Sequence, residues 1–103
     1  MLHLGSLPRA LLTPPMVREH DSVVLNEDIP AAALEAGDIG TVIHIHRGGA
    51  GYEVEFMTLA GETVAVVTLL PNQIRSVARG DLAHVRELSL PPTGTAWPRA
   101  NCT

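Results

Sequence analysis

The sequence predicts an all-β domain, and three observations support this fold class. Apolar residues make up 46% of the 103 residues, and only one Trp, one Tyr and one Phe are among them. The core must therefore rest on Val, Ile, Leu and Ala, and a wealth of β-branched residues favours strands. Short apolar runs alternate with glycine-containing turns, and the run YEVEF alternates apolar and acidic residues, as a half-buried strand does.

The elements follow from these runs and turns. A long first loop of residues 26–38 carries Pro30 and Gly37, and its AAALEA stretch fits one helical turn. Residues 70–73 suit a tight helical turn, with Pro71 near its start. The five predicted strands are residues 21–25, 41–46, 52–57, 63–69 and 74–77. Five short strands, a long first loop and a helical turn before the last strand together predict a small SH3-like barrel.

Three zones divide the chain. Residues 1–18 read as a poorly ordered N-terminal extension, with Met16 as an alternative start; residues 19–78 form the barrel; and residues 79–103 form an amphipathic segment and a tail. Two structures fit residues 80–89. A helix would align Leu82, Val85 and Leu88, whereas a strand would align Leu82, Leu88, His84 and Arg86, and the sequence leaves both open.

Charge is distributed unevenly. Between Glu19 and Glu62 lie nine carboxylates and one arginine, a net charge of −8. Such a domain repels phosphate backbones, so we expect no nucleic-acid partner.

No apolar run approaches the roughly 20 residues that span a bilayer, so we expect no membrane partner. The single cysteine, Cys102, allows no intramolecular disulfide, which fits a cytoplasmic protein.

The second and third strands predict a hairpin with a polar outer face. If Gly48–Gly51 is a four-residue loop, then Arg47 opposes Tyr52 and Ile45 opposes Val54, and Ile43 shares the apolar face with Ile45. In this register His46 opposes Glu53 and His44 opposes Glu55. The four side chains fit either solvated cross-strand contacts or, as the weaker candidate, a divalent metal site.

No constellation in the sequence predicts catalysis, and no cofactor is expected. Asp38 lies between Gly37 and Gly40, where an aspartate commonly bonds local backbone amides in a turn. Cys102 lies in a polar tail without a neighbouring base. We therefore predict a protein that is not an enzyme, with no catalytic residue.

Residues 21–77 resemble the DUF4926 family, which we associate with bacteria. The resemblance rests on the stretches DSVVL, DIPAAALEAGDIGTVIHIH, YEVEF and GETVAVVTLLPNQIRSV in this order. It implies the barrel fold and supplies no catalytic set. It also implies an association with small two-gene bacterial modules of the toxin and antitoxin kind.

The function predicted from the sequence is a non-enzymatic protein-interaction module of a bacterium, such as the antitoxin or immunity member of a two-gene system. Its partner is expected to be another protein of basic character, because opposite charge favours association. The alternatives are an accessory SH3-like subunit of an enzyme of the nitrile-hydratase type and a weak divalent-metal-binding protein. The residues predicted to bind the partner are Glu27, Asp28, Glu35, Asp38, Glu53, Glu55 and Glu62.

Overall fold

The computed structural model describes residues 17–89 and confirms the all-β fold class. Five antiparallel strands form one sheet in the order β4-β3-β2-β1-β5. The strands are β1 (Ser22–Leu25), β2 (Ile39–His46), β3 (Gly51–Met57), β4 (Thr63–Leu69) and β5 (Ile74–Ser76). The predictions about residues 1–16, Cys102 and the rest of the tail at residues 90–103 lie outside the described residues. Within residues 17–89, no helix has the length and apolar character needed to cross a membrane.

β2 joins the two halves of the sheet. Its first residues pair with β1, with Ser22 opposite Thr41, and the rest of β2 pairs with β3. β5 returns to the other side of β1, where Val23 lies opposite Ser76. This strand order is compatible with the predicted SH3-like barrel.

Short 3-10 turns lie where the sequence predicted helical turns. One, Pro30–Ala32, lies within the first loop, and the other, Pro71–Gln73, precedes β5. A proline begins each turn, since its missing N–H costs nothing at that position. In the second turn the Gln73 side chain accepts a hydrogen bond from the Leu70 amide at 2.7 Å.

The core is aliphatic, and the alternation predicted for β3 is confirmed. Tyr52, Val54 and Phe56 are buried, while Glu53 and Glu55 lie on the other face. None of the buried side chains among residues 17–89 is charged or polar. The buried residues of the core cluster are Val23, Leu25, Ala32, Leu34, Val42, Tyr52, Val54, Phe56, Val64, Ala65, Val67, Leu69 and Ile74.

The predicted register of the β2–β3 hairpin is wrong, because Ile45 pairs with Tyr52 instead of Val54 and Glu53 pairs with His44 instead of His46. His46 pairs with Gly51, so the reversal comprises residues 47–50 rather than Gly48–Gly51. Arg47 adopts a left-handed φ of 46°, and the amides of Gly49 and Ala50 both bond the His46 carbonyl. A non-glycine residue seldom takes this conformation, so residue type alone does not assign Arg47 to the turn.

A second departure lies at a β-bulge between Val42 and His44. The bulge leaves Ile43 without a partner and turns it outward, 39% exposed, while Val42 is fully buried opposite Val54. The prediction that Ile43 shares the apolar face with Ile45 is therefore wrong. An extra residue in one strand reverses the side-chain alternation beyond it, and alternation alone does not reveal where the insertion occurs.

Residues 81–89 form neither the helix nor the strand considered from the sequence. They run as an irregular extended segment, called here the C-terminal strap. Leu82 and Val85 are 93% and 67% exposed, whereas Arg86 and Leu88 are partly buried, and Leu88 packs against the core. The strap therefore contacts its own domain through Arg86 and Leu88, which belong to the same alternating set of side chains.

Candidate functional site

The first loop has a defined conformation because its ends and its middle are bonded. Ile29 and Leu34 form an isolated antiparallel bridge around the 3-10 turn, and Ala33 takes a left-handed φ of 59°. The Asp28 side chain accepts a hydrogen bond from the Ala36 amide at 2.9 Å. These bonds fix the direction of the Ala33 carbonyl and the position of the carboxylates that follow.

Asp38 has the turn role predicted for it, and its carboxylate also holds an arginine. Its Oδ2 accepts a hydrogen bond from the Glu35 amide at 2.8 Å. The Arg86 Nε donates to Asp38 Oδ1 at 2.9 Å, and Arg86 Nη2 donates to Asp38 Oδ2. Arg86 Nη2 also donates to the Ala33 carbonyl at 3.1 Å, and Nη1 lies 3.6 Å from a Glu35 carboxylate oxygen. We call this set of acceptors the guanidinium site.

The electrostatics of the guanidinium site favour the charged arginine. The hydrogen bond to Asp38 raises the pKa of Arg86, burial opposes the shift, and the charges of Asp38, Glu35 and Asp28 add to it. The pair is partly shielded from water, with side chains 30% and 19% exposed for Arg86 and Asp38. A bidentate pair of this kind is geometrically selective as well as attractive.

A second ion pair fixes the start of the strap. Arg75 Nη1 and Nη2 donate to the two carboxylate oxygens of Asp81 at 2.7 and 3.0 Å. Asp81 Oδ2 also accepts a hydrogen bond from the Ala78 amide at 2.6 Å, which closes a turn after β5. The hydrogen bond that Arg75 donates to Asp81 is the largest cause of the raised pKa of Arg75. The strap is thus attached to the domain near both of its ends.

Two open clefts adjoin the strap. One of about 870 Å³ lies between the strap, the first loop and the β1–β5 side of the sheet, and it contains Val24, Val77 and Arg75. The other, of about 440 Å³, extends toward the β3–β4 turn and is called here the apolar groove. Both clefts include Asp38 and Arg86, so the guanidinium site lies at the boundary between them.

Apolar side chains line the groove and remain open to solvent. Ile39 and Met57 are 48% and 47% exposed, Leu59 is 93% exposed and Val85 is 67% exposed. The floor is made by the buried side chains of Leu34, Phe56 and Val64. An apolar surface of this kind beside charged groups is typical of a protein-binding site.

The structure places the seven predicted partner-binding residues in two regions. Glu35 and Asp38 belong to the guanidinium site, Asp28 supports it, and Glu27 accepts a hydrogen bond from Gln73 at 3.1 Å. Glu53 and Glu55 lie on the outer face of β3, and Glu62 lies exposed beside β4. The groove lining includes none of these last three.

The predicted histidine patch is only partly assembled. The His44 and His46 rings meet edge to face with centroids 4.6 Å apart. His44 lies opposite Glu53, and His46 Nε2 approaches Glu53 Oε1 at 3.7 Å. Glu55 instead lies opposite Thr41 and accepts a hydrogen bond from the Thr63 hydroxyl at 2.6 Å.

Glu19, which the sequence analysis did not suggest, lies beside His44, where Glu55 was predicted. Its carboxylate lies 3.8 Å from His44 Nδ1. Within residues 17–89, no three His, Cys, Asp or Glu side chains gather in a geometry able to hold a metal ion. The four candidate metal ligands are therefore not brought together, and the pairing of His44 with Glu55 is wrong.

Arg86 is the site residue that sequence reasoning missed. The signal was its place in the alternating set of Leu82, His84, Arg86 and Leu88, but its acidic partner lies 48 residues earlier in the chain. The sequence contains no local cue for a pair separated by so many residues.

A family model for a domain of unknown function, DUF4926, matches residues 19–76. The chain belongs to the DUF4926 family. The family match contains the first loop, Asp38 and most of the apolar groove, and it ends at Ser76, before the strap. No curated protein and no solved structure matches the chain.

Proposed function

We propose that this DUF4926 protein is a non-enzymatic protein-interaction module of the bacterial cytoplasm that binds a protein of basic character. The observation that carries the proposal is the guanidinium site at the edge of an open apolar groove. The groove supplies apolar area for affinity, and the neighbouring carboxylates supply charge for orientation and association rate.

The exposed side chains of the groove support this assignment. Ile39, Met57, Leu59 and Val85 would each lose water on contact with a partner. Burial of apolar surface contributes roughly 25 cal/mol per Å² before the costs of association are subtracted. Leaving such side chains exposed is unfavourable for solubility, so a surface of this kind is typical of a functional contact.

The acidic residues of the clefts support a role in binding rather than in acid–base chemistry. Asp38 and Asp81 each accept two hydrogen bonds from an arginine, so both oxygens of each carboxylate are already bound by a side chain of the protein. A general acid or base needs access to a substrate proton. His44 and His46 lie on the sheet face outside both clefts.

Within this class we favour the antitoxin or immunity member of a two-gene system. The support is the net charge of −8 between Glu19 and Glu62, which suits neutralisation of a basic partner. An accessory subunit of an enzyme would use the same groove for a catalytic chain. Co-expression with the products of the neighbouring genes distinguishes the two roles by the identity of the chain that co-purifies.

The direct test compares two matched variants as baits in the native host. Leu59→Glu places a charge in the groove, whereas Leu70→Glu makes the same change at a residue that is 57% exposed and outside both clefts. We expect a basic protein to be retained by the wild type and by Leu70→Glu at about 150 mM salt, and to be lost with Leu59→Glu. Equal retention by all three baits, or none by the wild type, would contradict the proposal.

A further inference from the structure

We propose that the C-terminal strap is an internal ligand of the interaction surface, and that an arginine of the partner replaces Arg86 at the guanidinium site when the partner binds. This inference rests on the proposed function and adds the chemistry of the partner: an extended segment that carries an arginine next to apolar side chains. The strap itself supplies the pattern, since Val85 lines the groove and Arg86 occupies the site beside it.

The acceptors of the guanidinium site match arginine and not lysine. Two parallel hydrogen bonds join the Nε and Nη2 edge of Arg86 to the Asp38 carboxylate, and a third reaches the Ala33 carbonyl. A guanidinium presents its donors in one plane and at fixed spacing, whereas an ammonium is a point charge on a flexible stem. A lysine at this position would satisfy the charge but not the paired acceptors.

The strap buries little apolar surface, so a competitor can displace it. It has no regular secondary structure, and most of its side chains are exposed. Arg86 and Leu88 are its partly buried residues, and Leu88 is the one that packs against the core. A segment with so little buried apolar surface belongs to the part of a fold that opens with low free-energy cost.

The other arginine pair keeps the displaced strap close. Arg75 holds Asp81 five residues before Arg86, so opening at the guanidinium site leaves the strap tethered. A short tether gives an effective concentration on the order of millimolar. A partner must therefore compete with a local strap concentration of this order, so a weak basic competitor needs a correspondingly higher concentration to displace the strap.

The experiment titrates the full chain with two short peptides and follows backbone amides by NMR. The arginine probe is acetyl-HVREL-amide, which copies strap residues 84–88, and its control carries lysine in place of arginine. In Arg86→Ala we expect saturable shifts at Glu35, Gly37 and Asp38 with the arginine probe and none with the lysine probe. In the wild type, half-saturation should need about ten times more peptide if the strap is bound about nine-tenths of the time.

Matched variants make the result decisive. Arg79→Ala removes an exposed arginine that precedes the strap and lies outside both clefts, and it should keep the wild-type half-saturation. Arg86→Lys keeps the charge but loses the paired geometry, and its half-saturation should lie between the values of the wild type and Arg86→Ala. Equal half-saturation in wild type and Arg86→Ala, equal response to the two peptides, or no saturable shift in either Arg86 variant would overturn the inference.

The internal-ligand role of the strap and the proposed function can fail independently of each other. If Leu59→Glu abolishes capture of the partner but Arg86→Ala does not strengthen it, the interaction surface stands and the internal-ligand role fails. If the arginine peptide binds Arg86→Ala but no host protein depends on Leu59, the guanidinium site stands and the proposed function fails.

Discussion

At the residue scale, Gly40 shows how closely β2 packs against β3. A β-carbon at this position would lie 2.5 Å from Val54 Cγ1 and 2.9 Å from Phe56 Cε2, closer than atoms in contact can approach. Both neighbours are buried core side chains, so neither can move away freely. We expect Gly40→Ala to lower the free energy of unfolding by about 1–3 kcal/mol, measured by urea denaturation. Gly80→Ala is the matched control, because nothing lies within 4 Å of its added β-carbon, and an equal effect of both variants would contradict this account.

At the same scale, the bulge makes opposite predictions for two adjacent residues. Val42 is fully buried and Ile43 is 39% exposed. We expect Val42→Ala to cost about 2 kcal/mol of stability and Ile43→Ala less than about 1 kcal/mol, although the second change removes more atoms. The regular register that the sequence suggested predicts the reverse order. Thermal and urea unfolding of the two variants therefore decide between the two registers.

At the scale of elements, the Arg86–Asp38 pair joins the strap to the first loop. We expect Arg86→Ala to lower stability by about 1 kcal/mol at low salt, with a smaller difference from wild type at about 0.5 M salt, where partly exposed charges are screened. Arg79→Ala should leave stability within about 0.5 kcal/mol at both salt concentrations. A loss for Arg86→Ala that does not depend on salt would show that packing, not charge, holds the strap.

Alkaline pH should not release the strap in the range where proteins are handled. The folded-state pKa of Arg86 is raised by its hydrogen bond to Asp38. A group with a raised folded pKa contributes its full stabilisation below its unfolded pKa and loses it only as pH rises through the folded value. For arginine both values lie far above neutrality. We therefore expect the stability difference between the wild type and Arg86→Ala, and its dependence on salt, to be the same at pH 7 and pH 9. The measurement repeats the wild-type and Arg86→Ala urea curves at both pH values.

The elements themselves could be predicted from the sequence to a large extent. The predicted strands agree with β1 to β5 to within two residues, because apolar runs and glycine turns are local signals. Three features were not accessible in this way: the left-handed Arg47, the bulge at Ile43 and the contact of Arg86 with Asp38. The first two are backbone features that side-chain alternation does not report, and the third joins residues 48 positions apart.

At the scale of the whole molecule, charge determines which polymers the domain can approach. Residues 19–62 carry a net charge of −8, because nine carboxylates face one arginine, Arg47. We expect no retention of single- or double-stranded nucleic acid at about 150 mM salt in a gel-shift assay. Binding that weakens steeply as salt increases would contradict this expectation, since it would reveal a basic surface that displaces counterions from phosphates.

The pairing of β1 with β5 has a consequence for synthesis of the chain on the ribosome. Val23, Val24 and Leu25 bond to residues 74–76, so one side of β1 lacks its neighbour until most of the domain has been translated. Contacts so distant in sequence form late, because closing a long loop costs chain entropy before the contacts compensate for it. The nascent domain therefore exposes this β1 edge until Ser76 leaves the exit tunnel. Arg86, which binds the Asp38 carboxylate, follows ten residues later.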